Sequence, residues 1–246
     1  MQVTLISYTQ FAKELLIFTK NTRLNMTPGG LKEVMGWTEE RKQQELEYMA
    51  RTIPSSWEFA DLTFMIEKCS RAFTHQLVRT RNASYAQQTM RVLPMESFSY
   101  HTGPSIDEEP ERQAMYDSVM RIIQHGYNNL LERGTKIEDA RGILPTDILT
   151  NIVMKINLRG FCELVKSRNS ARVQGEYRDF LQQATEQARM VWPWIDIFLE
   201  PKQMSAKQNI MEYLQDQMRW ETEHFGVQPN LTKAWSVMKE LDILTK

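Results

Sequence analysis

Residues 107–133 constrain the fold more than any other stretch of this chain. Met115, Val119, Ile122, Ile123, Tyr127 and Leu130 recur every three or four residues. That spacing lines one face of an α-helix and predicts a long amphipathic helix with an apolar stripe. Gly134 follows as a natural stop, because glycine accepts the left-handed backbone that ends helices.

Around this helix the pattern changes period several times. Residues 9–23 predict a helix with Phe11, Leu15, Leu16 and Thr19 on one side. Thr38 has the character of an N-cap for a polar helix from Glu39 to about Arg51, which Pro54-Ser55-Ser56 breaks. Phe59 to Ile66 is apolar and suits a strand, and Ser70 can cap a short helix to about Arg79, with Arg71, His75 and Arg79 on one face. Residues 84–92 alternate like an extended segment in which Tyr85, Gln87, Thr89 and Arg91 point the same way. The run 152–157 suits a strand entering a helix over 158–168, and a second long helix is expected from about Ala171 to Met190, ending near Trp192-Pro193-Trp194. Helices surrounding a few strands without regular alternation predict an α+β fold. No repeat or low-complexity linker interrupts the 246 residues, so one domain over 1–246 is expected, with about 200–246 as a helical C-terminal extension.

Composition narrows the function classes. No run of about 18 apolar residues occurs, and the first ten residues lack a charged and then apolar leader, so no membrane partner or export is expected and a cytoplasmic setting is favoured. Cys69 and Cys162 form no C-x-x-C, which argues against a disulfide framework. His75, His101, His125 and His224 show no metal-ligand spacing, so no metal site is expected. The net charge is −1, which disfavours nucleic acid as a partner.

Against that neutral background, Arg79 to Arg91 reads RTRNASYAQQTMR, with no acidic residue. Arginine's planar fork makes paired hydrogen bonds to phosphate oxygens, so this density suits a nucleotide phosphate, with a solvated basic face as the plain alternative. Two further segments carry related chemistry: SSWE at 55–58, and 157–178, where Arg159, Arg168, Arg172 and Arg178 mix with Asn157, Gln174 and Glu176. Arg141, before Leu144-Pro145, adds another cation. Glu163 stands four residues after Arg159 and three before Lys166, a spacing that also suits ordinary helix ion pairs.

The order of these residues resembles the flavin-dependent thymidylate synthases, or thymidylate synthase complementing proteins. The family signature, Arg-His-Arg followed by two serines and an arginine, is matched here by Arg79-Thr80-Arg81, Ser84, Thr89 and Arg91. Upstream, Ser55, Glu58 and Leu62-Thr63-Phe64 match, then Ser70-Arg71-Ala72 and Gln76. Downstream, Ala140-Arg141 before Leu144-Pro145 matches, as do Asn157, Arg159, Arg168, Gln174, Glu176 and Arg178, so the likeness covers roughly 50–195. It implies a homotetramer with helices around a small, mainly antiparallel sheet and active sites where subunits meet. It implies FAD as cofactor, methylene-tetrahydrofolate and NADPH as co-substrates, and a deoxypyrimidine monophosphate, by default dUMP, as the acceptor at C5. Carried over by position, Gln76, Arg79, Gln87, Gln88, Thr89, Arg91, Arg141 and Arg168 contact the nucleotide. Ser55, Glu58, Arg79, Thr80, Arg81, Gln87, Asn157, Arg159, Glu163 and Arg172 fall to the flavin, and Arg168, Thr89 and Glu163 to catalysis.

The chain departs from that pattern at Ile53, Phe59, Thr80, Gln87, Glu163 and Arg172, while Arg79, Arg91, Arg141 and Arg168 stay. This distribution predicts an altered substrate or product rather than lost activity. A carboxylate at Glu163 accepts where an amide could donate, and cytosine presents an amino group where uracil presents a carbonyl. If Glu163 faces the base, dCMP becomes a candidate substrate. Water capture of the one-carbon unit, giving hydroxymethylation, is a related alternative. A nucleotide-binding homologue without catalysis is a third reading.

Overall fold

The computed structural model describes residues 1–22, 26–52, 54–167 and 175–200. The chain opens with strand β1 (Gln2–Tyr8), helix α1 (Ala12–Lys20), α2 (Pro28–Met35) and α3 (Glu39–Thr52). A 3-10 turn, Pro54–Phe59, leads into β2 (Asp61–Ser70), α4 (Arg71–Leu77) and β3 (Ala83–Gln87). Short α5 (Pro104–Asp107) precedes long α6 (Pro110–Glu132), and α7 (Ile137–Ala140) precedes β4 (Leu149–Asn157). Helices α8 (Leu158–Ser167), α9 (Gly175–Val191) and α10 (Asp196–Leu199) complete the described residues.

The strands form one antiparallel sheet in the order β1-β2-β4-β3, so the expected α+β class with a small antiparallel sheet holds. Alternate residues Leu62, Phe64 and Ile66 of β2, with Ile152, Met154 and Ile156 of β4, are buried. A strand puts alternate side chains on opposite faces, so these residues build one apolar face. Helices α1, α3, α8 and α9 cover it with Leu16, Ile17, Leu46, Met49, Phe161 and Phe180. Phe64 stacks on Phe161 at 5.8 Å between ring centres. A second, smaller core gathers Phe98, Met120 and Ile148 beneath α6. No described helix is long and apolar enough to cross a membrane.

Local signals placed many boundaries. The Thr38 hydroxyl accepts from the Arg41 amide at 3.3 Å, and Ser70 Oγ accepts from the Phe73 amide at 2.9 Å, so both are caps. Gly134, with φ 83°, follows α6 where the stop was expected. At the edge of the sheet, the Val3 and Leu5 amides of β1 donate to the side-chain oxygens of Gln183 and Gln187 on α9, at 3.0 and 3.3 Å.

Four expectations need correction. The first helix starts at Ala12, and Phe11 stands before it in left-handed backbone, 66% exposed, with Ala12, Leu16 and Ile17 facing the core instead. Strand β3 ends at Gln87, so Thr89 and Arg91 lie beyond it and not on its face. Leu77 ends α4, so Arg79 belongs to the following turn. The α6 stripe is split: Tyr127 is buried, but Met115 and Ile122 are 73% and 68% exposed and Val119 is exposed too. Helical period fixes which residues share a face, not whether the same chain covers it. The start of the helix expected from Ala171, and everything beyond residue 200, lies outside the described residues.

Candidate functional site

The sequence-predicted residues gather at the two ends of β3. This strand of five residues spans ~13 Å at 3.3 Å per residue.

At the far end of β3 lie Gln87, Gln88, Thr89 and Arg91. The Gln87 amide donates to Thr74 Oγ1 of α4 at 3.0 Å, so this side chain is anchored to the neighbouring helix. The Thr89 hydroxyl accepts from the Arg91 amide at 3.0 Å and shapes the bend after the strand. Arg91 Nε pairs with Glu138 at 3.0 Å, and Arg141 Nε donates to the Glu138 carbonyl at 3.1 Å. Glu138 therefore brings two predicted phosphate ligands together.

Arg71 joins them, and sequence reasoning left it out of the site. Its Nη2 donates to the Gln88 carbonyl at 2.9 Å, while its buried Nε has no hydrogen-bond partner. Burial, and then repulsion from Arg141, pushes its guanidinium below the ordinary value. Two close guanidinium groups without a carboxylate between them cost energy, and an anion relieves that cost. The signal available in sequence was an arginine directly after a helix cap, with His75 rather than an acid four residues on.

At the near end, β3 begins opposite the end of β4, where Ala83 pairs with Ile156. The Asn157 side-chain oxygen accepts from the Gly160 amide at 2.8 Å and so caps α8. A Cβ on Gly160 would stand 3.1 Å from Ile156 and 3.3 Å from the Asn82 carbonyl, so glycine lets α8 approach the turn carrying Arg81 without its neighbours having to give way. Arg159 on α8 reaches Glu58 at 2.8 Å through Nη1 and Glu163 at 3.1 Å through Nε. Glu163, then Glu58, holds the Arg159 guanidinium above its ordinary value. The Ser55 hydroxyl, Arg79 and Arg81 are exposed, Thr80 is half-buried, and Gln76 is half-buried on α4.

The structure thus joins Glu58, Asn157, Arg159, Glu163 and the Arg81 turn at one end, and Gln87 to Arg91 with Arg141 at the other. Arg168 and Arg172 lie outside the described residues. Cys69 and Cys162 are buried, and desolvation pushes both thiols up to about 12, so neither is an activated nucleophile. A groove of about 310 Å³ between β1 and α9, lined by Ile6, Tyr8, Gln187 and Met190 among others, contains none of the predicted residues.

Fold and site together define an α+β protein with an arginine-lined strand edge suited to phosphorylated ligands. Residues 4–194 match the family model described as thymidylate synthase complementing protein, and the chain belongs to that family. It is 31% identical over 215 residues to the flavin-dependent thymidylate synthase of Sulfurisphaera tokodaii, covering 82% of this chain and 78% of that one. It is 28% identical over 211 residues to that of Clostridium tetani, covering 78% and 84%. With that of Thermococcus kodakarensis it shares 41% over 128 residues, 50% of this chain and about half (51%) of the relative.

Proposed function

We propose that this protein is a thymidylate synthase-type methyltransferase. It uses FAD to move a one-carbon unit from methylene-tetrahydrofolate to C5 of dUMP, with NADPH as reductant. The observation that carries this reading is the Arg71, Arg91 and Arg141 group beside Thr89, where three cations gather and, among the described residues, only Arg91 pairs with a carboxylate, that of Glu138. A nucleotide monophosphate is a dianion of the size that such a group can hold. Family membership and the names of the relatives support the same chemistry.

The near end suits a flavin nucleotide. Arg79 and Arg81 are exposed on one turn, and Arg159 meets Glu58 through Nη1 and Glu163 through Nε, with no partner for Nη2 among the described residues. When bound there, FAD supplies the redox chemistry of the transfer. The residues of this chain bind and orient. Arg71, Arg91 and Arg141 fix the phosphate, Thr89 keeps a hydroxyl proton for the nucleotide, and Arg168 is assigned to charge that develops on the base. Glu58 and Glu163 hold Arg159 in one orientation.

The dCMP alternative needs Glu163 as an acceptor toward the base. Glu163 Oε1 accepts from Arg159 instead, which favours dUMP. A homotetramer is part of this proposal. Among the described residues nothing covers Met115, Val119 and Ile122 of α6, and the ligand-binding residues are spread over both ends of β3; a second copy would cover the one and close the other.

The test is direct. The purified protein should show the visible spectrum of bound flavin. It should release tritium from C5-labelled dUMP with methylene-tetrahydrofolate and NADPH, and form a product with the mass of dTMP. Flavin with release only from dCMP would establish the altered substrate. Neither flavin nor release would leave a non-catalytic homologue.

A further inference from the structure

We propose that Tyr85 is a positioning residue: its hydroxyl clamps the turn that presents Arg79 and Arg81, and ligand affinity at that turn depends on the clamp. The inference rests on the reading of Arg79 and Arg81 as flavin and nucleotide contacts.

The turn itself is short. Leu77 ends α4, the Thr80 amide donates back to the Leu77 carbonyl at 3.0 Å, and the Arg79 amide donates to the Gln76 carbonyl at 3.2 Å. The carbonyls of Leu77 and Thr80 thus mark the two sides of the turn's mouth. Tyr85 Oη lies between them, donating at 2.9 Å to Leu77 and 3.1 Å to Thr80. One hydroxyl proton shared by two carbonyls ties the first residue of the turn to the last. The ring packs against the main core, and Tyr85 pairs with Met154 in the sheet, so the clamp is fixed to both. Both arginines are exposed on the turn, and among the described residues neither makes an ion pair. Burial pushes the Tyr85 hydroxyl up to about 12, so it remains a donor throughout the working pH range.

Phenylalanine keeps the ring and removes only the donor, so Tyr85→Phe tests the clamp itself. Two readouts are needed, one with ligand and one without. FAD affinity should fall about tenfold, as expected when two carbonyls lose a shared partner. Trypsin cleavage after Arg79 and Arg81 should accelerate by a similar factor in the ligand-free protein. Ile17→Val, a core truncation in α1, matches a small loss of melting temperature and should change neither. FAD affinity within twofold of wild type overturns the proposal, whether or not cleavage accelerates. If the wild-type protein binds no FAD, the functional reading fails. The clamp is then judged by cleavage alone, standing if cleavage accelerates and falling if it does not.

Discussion

The two ends of β3 treat arginine in opposite ways. At the far end Arg91 takes the carboxylate of Glu138, Arg141 and Arg71 donate only to the backbone carbonyls of Glu138 and Gln88, and Arg71 Nε is buried without a partner. At the near end Arg159 is held between Glu58 and Glu163, beside the exposed Arg79 and Arg81. Excess cation creates a place where an anion is favourable; excess carboxylate creates an oriented cation that attracts an anion less. The difference separates capture from alignment within one strand's length. At the near end Arg159 is already paired and Arg79 and Arg81 are the exposed cations, whereas at the far end Arg71 and Arg141 meet no carboxylate among the described residues.

The comparison can be broken most sharply at Arg71. Arg71→Ala should weaken dUMP binding by about 10- to 100-fold, the usual range for losing hydrogen bonds from a charged donor. Calorimetric titration with dUMP measures it, and an unchanged affinity would remove Arg71 from the site. Glu138→Gln should act the other way. By releasing Arg91 from an exposed ion pair it should tighten dUMP by about threefold, within the range of such pairs; weaker binding would mean that Glu138 orients the arginines rather than competing for them. Glu163→Gln should alter FAD affinity by only about twofold, since an amide can still accept from Arg159. The preference between dUMP and dCMP should not move, and a shift toward either nucleotide would place Glu163 at the base after all. The core thiols should be silent at both ends. Cys69 and Cys162 ionise more readily in the unfolded chain, near 9.0, than in the folded one, at about 12. Their contribution to stability is therefore complete below about pH 9 and is lost as pH rises toward 12. Urea midpoints at pH 8 and 10.5 should show that decline, and iodoacetamide should leave the folded protein unlabelled at pH 8.

What sequence made legible was local. Thr38 and Ser70 cap helices because a hydroxyl beside free amides acts within three residues, and β4 leads directly into α8 because period and cap change together at Asn157. What it hid depends on neighbours far along the chain. Phe11 looked like part of a buried face, but α1 is set by Leu16 and Ile17, and the turn before it rotates Phe11 outward. The α6 stripe gave the helix and not its covering. Arg71 was visible as a match to the family pattern, yet only the fold places it beside Gln88 and Arg141. Glu163 was visible as a departure, and its i,i+4 spacing to Arg159 describes the contact it makes with that residue.

The glutamines on α9 have a consequence for how copies of this chain meet. A sheet with an open margin invites another strand to join it, and unchecked joining leads to fibres rather than closed assemblies. Gln183 and Gln187 occupy the outward amides of Val3 and Leu5, so that margin is already sealed by the chain's own side chains. At these two amides, addition of a further strand to β1 is closed off, so the fold does not offer itself there as a template for another copy.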